Sequence, residues 1–269
     1  MNNYTLLTGA VGGLGQAFVF ELLKQNKSLL LVSTKQEKLD NFIKKYKEIF
    51  QNKNIKTFVC DLSKKEQITN LINFIKQEKI TVNTLINNAG VIIEGDLENF
   101  SDEQIENAIM VNCIGTLDLT KNIIKIRDKN QKLEVLTVAS VASRYPIPHM
   151  GVYSATKAFL LSMMLSLSYE YSKKDISFST VCPGGMATTQ EMKDSIKSMG
   201  IGGKLSTLST EKVAKIALKG LKRGKRVITP GFFNKFLVFL GKLVPITFQA
   251  KQAGNIYKKS QIKRGLYKK

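Results

Sequence analysis

Seven short apolar runs, each followed by a stretch long enough for a helix, constrain this chain more than any other feature. The runs are YTLLT (4–8), SLLLVS (28–33), KTFVC (56–60), NTLIN (83–87), LEVLTVA (133–139), ISFSTVC (176–182) and RVITP (226–230). Helical periodicity fills the intervals near 14–26, 36–50, 64–78, 101–128, 152–173 and 210–223. Alternation of this kind predicts a parallel sheet with helices on both faces. Strands that are apolar on both sides fit a sheet shielded from water on both. At 269 residues, with no repeat, Pro/Gly-rich linker or low-complexity segment, the chain predicts one α/β domain with a substantial core.

Directly after the first run stands TGAVGGLGQAFVFELL, residues 8–23. Gly9 can make the tight turn out of a strand, Gly13 lets backbone approach a pyrophosphate, and Gly15 lets the following helix pack against the sheet. The helix N-terminus then offers unpaired N–H groups to an anion. A bare glycine cluster marks only a turn, but strand, loop and helix in this order predict dinucleotide binding. At the end of the second run a carboxylate would bond a ribose 2′-OH, whereas a basic group accommodates a 2′-phosphate. Ser33, Thr34 and Lys35 stand there, with no acid before Glu37. That set favours NADP(H), against the bland reading in which Lys35 borders a solvated loop.

Other chemistries find little support. One histidine and three dispersed cysteines, Cys60, Cys113 and Cys182, predict no metal site and suggest buried free thiols in a reducing, cytoplasmic setting. The start, MNNYTLLTGA, lacks the basic, apolar and small-residue succession of a secretory signal. No window reaches the roughly 18 unbroken apolar residues of a spanning helix.

With these motifs in view, nearly the whole chain resembles the short-chain dehydrogenase/reductase family. Its glycine pattern corresponds to Thr8, Gly9, Gly13 and Gly15, its acid after the third strand to Asp61, and its Asn-Asn-Ala-Gly to Asn87, Asn88, Ala89 and Gly90. The helix asparagine matches Asn112, the serine Ser140, the Tyr-three residues-Lys motif Tyr153 and Lys157, and the Pro-Gly segment Pro183, Gly184 and Thr188. The resemblance implies a Rossmann-type doubly wound sheet of about seven strands. It implies a nicotinamide cofactor held by Gly9, Gly13, Leu14, Gly15, Thr34, Lys35, Asp61 (beside the adenine), Leu62, Asn88, Ala89, Gly90, Tyr153, Lys157, Pro183, Gly184 and Thr188. The catalytic set is Ser140, Tyr153, Lys157 and Asn112. Gly12 stands where the family often carries a serine or a basic residue, which keeps NAD(H) as the alternative cofactor.

The Tyr153–Lys157 spacing has a physical reading of its own. Positions i and i+4 share one helix face. A phenol of pKa about 10 is a poor proton donor at neutral pH. An ammonium about 4 Å away is worth about 4 kcal/mol at an effective dielectric near 20, or about three pKa units before desolvation opposes it. Lys157 is expected to supply that field and to bond the nicotinamide ribose. Ser140, thirteen residues upstream of Tyr153, would orient a substrate carbonyl, and by resemblance Asn112 would hold a relay water.

Residues 140–153 are expected to wall the substrate pocket; the lone His149 falls there and is not placed among the catalytic residues. Residues 186–209 resemble the mobile lid of the family, with methionines suited to an adaptable apolar wall. The domain expectation is therefore 1–230 for the dinucleotide-binding domain with this lid, and 231–269 for a basic C-terminal extension of the same domain.

Charge singles that extension out. After Glu211 the last 58 residues hold 16 Lys/Arg and no acid, while the first 211 hold 25 basic and 21 acidic residues. Within GFFNKFLVFLGKLVPITFQ (231–249), Phe233, Phe236, Leu237, Leu240, Leu243 and Val244 fall on one helical stripe, and Pro245 is expected to end or kink it. Apolar aromatics beside a basic tail suit an anionic membrane surface, against packing on the sheet or a partner subunit. Nucleic acid shares the charge argument, but no recognised motif supports it.

The expectation is an NADP(H)-preferring carbonyl reductase or alcohol dehydrogenase, cytoplasmic or peripherally membrane-associated, acting on an apolar, lipid-derived ketone or secondary alcohol. By resemblance it assembles as a homodimer or homotetramer. The competing expectation is a non-catalytic NADP(H)-sensing or membrane-recruited binding protein on the same scaffold.

Overall fold

The computed structural model describes residues 3–265. Seven strands, β1 (Asn3–Thr8), β2 (Ser28–Ser33), β3 (Ile55–Val59), β4 (Thr81–Asn87), β5 (Leu133–Val138), β6 (Ile176–Val181) and β7 (Val227–Ile228), form one sheet in the order β3-β2-β1-β4-β5-β6-β7. Every pairing is parallel. The connections between strands carry α1 (Gly13–Leu23), α2 (Gln36–Lys45), α3 (Lys47–Phe50), α4 (Lys65–Gln77), α5 (Asp102–Ile109), α6 (Thr116–Ile126), α7 (Gly151–Glu170), α8 (Gln190–Ser198), α9 (Gly200–Ser206) and α10 (Thr210–Lys222). Two more helices, α11 (Phe232–Gly241) and α12 (Ile246–Lys263), follow β7. This is the Rossmann-type doubly wound sheet that the sequence pattern predicts.

Alternate strand residues separate two cores, as a period of two requires. Leu7, Leu29, Leu31, Ile86 and Leu136 pack under α1, α2 and α10. Leu6, Leu30, Val32, Leu85 and Val135 pack under α4, α6 and α7. Strand order reverses between β1 and β4, and ligands of such sheets bind at the carboxyl ends of the strands at that switch. The three cysteines are buried and free.

The structure corrects several boundaries. The single helix expected over 101–128 is two, joined by a π-helical turn at Met110–Gly115. The run at 226–230 pairs only through Val227 and Ile228. Residues 186–209, expected as a lid, contain two helices, α8 and α9, and Thr189 caps α8 by accepting the Met192 N–H. The stripe at 231–249 breaks at Gly241, and Pro245 stands directly before α12. Among the described residues no helix is long and apolar enough to cross a membrane. The last four residues of the basic tail, 266–269, lie outside the described residues.

Candidate active site

The carboxyl ends of β1 and β4 are stitched by one threonine. The Thr8 hydroxyl accepts the N–H groups of Asn88 and Ala89, each at 3.0 Å. The Asn88 side-chain amide donates to the Thr8 and Gly9 carbonyls, also at 3.0 Å. Gly9 has φ +62°, and a Cβ there would lie 2.9 Å from the Ala89 Cα, so side chain and conformation both demand glycine. A Cβ on Gly15 would fall 2.1 Å from the Gly9 carbonyl oxygen, which holds α1 tight against the turn. α1 starts from Gly12 without a side-chain cap. Its first N–H groups thus have no capping side chain and suit an anion. Thr188 packs directly on Gly13, whose Cβ would lie 2.7 Å from the Thr188 Cγ2.

A cavity of about 1120 Å³ runs from this loop along the carboxyl ends of the strands. At one end it meets Thr34 and Lys35, then Lys38, Asn41 and Lys45 of α2. Sequence reasoning stopped at Lys35. The missed signal is the spacing 38, 41, 45, which places these three on one face of the helix. Asp61 and Leu62 border the same end. The Asp61 carboxylate is held in a turn, its Oδ1 accepting the Ser63 N–H at 2.9 Å and the Ser63 hydroxyl at 2.8 Å.

At the other end Ser140, Tyr153 and Lys157 come together. Ser140 stands two residues after β5, is buried, and accepts the Ala142 N–H at 3.1 Å. Its side chain neighbours the Tyr153 phenol and acts on the phenol's titration. Lys157, 5 % exposed, donates from Nζ to the Val138 carbonyl at 3.0 Å and lies 5.8 Å from the centroid of the Tyr153 ring.

The electrostatics depart from expectation. Burial pushes the Tyr153 phenol above its ordinary pKa, and the neighbouring Ser140 offsets that only in part. Burial lowers Lys157 to about 8, opposed by the nearby Cys113 and Cys182. The phenol's own burial dominates its shift, which disfavours the phenolate, while the Lys157 ammonium is engaged by the Val138 carbonyl.

Asn112 occupies a different position from its expected companions. It does not line the cavity but stands fully buried behind it. Its Oδ1 accepts the Val91 N–H at 2.8 Å, and its Nδ2 donates to the Val91 carbonyl at 2.9 Å and to Thr156 Oγ1 at 3.0 Å. The π-helical turn aims it there. Gly90 is the partition: a Cβ on it would come within 3.2 Å of both Asn112 Oδ1 and Lys157 Nζ. Every other expected cofactor or catalytic residue lines the cavity.

Beyond Tyr153 the walls turn apolar, with Ile92, Ile147, Met150, Met186, Met192 and Ile196. His149 is not among the lining residues; it stacks on Tyr257 of α12, with ring centroids 5.2 Å apart, and pairs with Asp96. Among the described residues no cluster of His, Cys, Asp and Glu could hold a metal. An uncapped helix start, a glycine turn and an elongated cavity together suit a nicotinamide dinucleotide.

A family model described as short chain dehydrogenase matches residues 3–199. Estradiol 17-beta-dehydrogenase 11 of Homo sapiens is 28% identical over 248 residues, covering 91% of this chain and 80% of its own. A very-long-chain 3-oxoacyl-CoA reductase of Neurospora crassa is 33% identical over 178 residues, 64% of this chain and 53% of its own. Among solved structures, a short-chain dehydrogenase from Sphingobium yanoikuyae in complex with NADPH superposes with a TM-score of 0.74 at 23% identity, covering 90% and 93% of the two chains. A 4-hydroxyisoleucine dehydrogenase complexed with NADH gives 0.75 at 22%, covering 86% and 98%.

Proposed function

The chain belongs to the short chain dehydrogenase family, and from that premise we propose that it is an NADP(H)-preferring carbonyl reductase or alcohol dehydrogenase for an apolar, lipid-derived ketone or secondary alcohol. The family makes it an NAD(P)-dependent oxidoreductase working on CH–OH or C=O groups. The observation that carries the NADP(H) preference is the α2 end of the cavity. Lys35, Lys38 and Lys45 line it beside Thr34, and that stretch contributes no carboxylate to the wall. Three ammonium groups suit a 2′-phosphate better than a bare ribose. The apolar substrate rests on the methionine and isoleucine wall beyond Tyr153. Two relatives named for a steroid and for a very-long-chain oxoacyl substrate have the same apolar preference in their names.

The glycine loop and the start of α1 would hold the pyrophosphate, Asp61 the adenosine end and Lys157 the ribose next to the nicotinamide. The bound coenzyme supplies or accepts the hydride. This chain does the proton work: Ser140 holds the substrate oxygen against the Tyr153 phenol, and Tyr153 gives or takes the proton at that oxygen. Lys157 carries positive charge beside them, and Asn112 acts from behind Gly90 by fixing the backbone at Val91. Exposed Ile109, Ile114 and Tyr169 suit assembly into a homodimer or homotetramer through the helices that carry them. The acid-free C-terminal segment suits an anionic membrane surface. The non-catalytic alternative is not favoured, because it leaves the convergence of Ser140, Tyr153 and Lys157 without a role.

Calorimetric titration with NADPH and NADH tests this reading. Wild type is expected to bind NADPH at least about tenfold more tightly, a difference of about 1.4 kcal/mol. Lys38→Ala/Lys45→Ala should lose that difference while keeping NADH affinity. Tyr153→Phe should bind NADPH unchanged and lose turnover of lipophilic ketones. Equal affinity for both coenzymes in wild type overturns the NADP(H) preference, and turnover surviving in Tyr153→Phe overturns the proton assignment.

A further inference from the structure

The exposed apolar surface of this protein is concentrated beside the cavity mouth and continues onto the helix that covers the cavity. α11 is pinned at its first turn: the buried Asn234 donates its side-chain amide to the Ser206 carbonyl at 3.0 Å and to the Pro230 carbonyl at 2.9 Å. Ser206 ends α9 and lines the cavity. From that anchored turn, Phe232 (86 % exposed), Phe236, Phe239 and Leu243 stand in water. α9, which packs on α11, adds Ile201 (78 % exposed) and Leu205, while Gly203 and Ser206 of the same helix face the cavity. A helix only seven residues long thus carries the cavity on one side and exposed apolar side chains on another.

Contiguous apolar surface of this kind marks a site of association, and the charge around it selects the occupant. Lys235, Lys242 and Lys251 are exposed on the same segment, in a stretch without an acid from 212 to 269. Lysine is depleted from interfaces between protein subunits, and two copies of one acid-free surface repel each other. Phenylalanines flanked by lysines match the acyl and headgroup layers of an anionic bilayer.

We propose that α9 and α11 form a single membrane-inserting surface on an anionic bilayer. The covering helix α9 then stands between lipid and cavity, and the apolar carbonyl or alcohol enters from the bilayer alongside α9. This rests on the membrane partner proposed above and adds the covering helix to the inserted surface.

The chain contains no tryptophan, so a single introduced one reports its own position. Phe236→Trp on α11, Leu205→Trp and Ile201→Trp on α9, and Ile49→Trp on α3 as a distant exposed control are each mixed with vesicles of phosphatidylcholine, with and without phosphatidylserine. Dibrominated phosphatidylcholine serves as the quencher. Expected are blue-shifted emission and bromine quenching at residues 236, 205 and 201 on the phosphatidylserine vesicles, with residue 49 unchanged. Quenching at 236 but at neither 205 nor 201 overturns the inference and leaves membrane association by α11 standing. No quenching at any position overturns both, and a dimer by light scattering in that case assigns the surface to a second copy.

Discussion

Asn88 grips Thr8 with two donors, its backbone N–H donating to the Thr8 hydroxyl and its side-chain amide to the Thr8 carbonyl, each at 3.0 Å. The Ala89 N–H shares the same hydroxyl, and Thr8 is 1 % exposed. The glycine turn and the segment that walls the cavity opposite it are therefore one hydrogen-bonded unit. Removing the hydroxyl strands two donors at the switch point of the sheet.

Thr8→Val keeps the shape and deletes the acceptor. Stranded buried donors cost about 1–3 kcal/mol each, so urea unfolding should show a loss of about 2 kcal/mol or more. Coenzyme affinity should fall with it, since the Gly9 turn loses its brace. Thr8→Ser should restore most of both. A Thr8→Val protein as stable as wild type would show that the hydroxyl contributes nothing net.

Lys157 makes a signed prediction about pH. Burial lowers it from 10.5 to about 8 in the folded protein. Between those values the unfolded chain binds a proton that the folded chain lacks, so its contribution makes stability rise with pH from about 8 to 10.5. Below about 8 both states carry the proton and the burial cost is complete and constant. Lys157→Met abolishes this dependence. The wild-type minus variant difference in unfolding free energy should be flat below that window and rise by on the order of 3 kcal/mol across it. A flat difference throughout would mean that Lys157 stays protonated in the fold.

Much of this site is legible from the sequence because its parts are backbone devices. The turn at Gly9 needs a glycine, the Asn88 amide needs two carbonyls in reach, and both leave a fixed residue type at a fixed place. The α2 lysines Lys38 and Lys45 are different: pattern alone cannot tell a lysine facing a cavity from one facing bulk water. The break at Met110–Gly115 leaves no mark either, since apolar spacing continues through it. α12 was illegible as packed structure for a third reason. Its inward stripe is Tyr257, Ser260, Gln261 and Arg264, at helical spacing but polar, so it carries no apolar signature.

That polar stripe makes the last prediction. Glu94 lines the cavity, and its Oε1 accepts from Arg264 Nη1 at 2.6 Å and from Gln261 Nε2 at 2.7 Å. Higher on the helix, the Ser260 hydroxyl bonds the Ser198 hydroxyl at the end of α8, and Tyr257 stacks on His149. α12 thereby ties the loop after β4, the loop before α7 and the covering helix α8 into one rim. The Glu94–Arg264 pair is only partly exposed, 23 % and 17 % at the side chains, so it should be worth more than a surface pair, about 1–2 kcal/mol. Arg264→Ala is expected to loosen the rim locally. Amide exchange in Gln190–Ser198 should quicken by about tenfold, which corresponds to about 1.4 kcal/mol of local stability, while exchange in β1 and β4 stays at the wild-type rate. Uniformly faster exchange would mean that α12 supports the whole fold, and unchanged exchange in α8 would mean that the covering helix is held by its own contacts with the cavity wall.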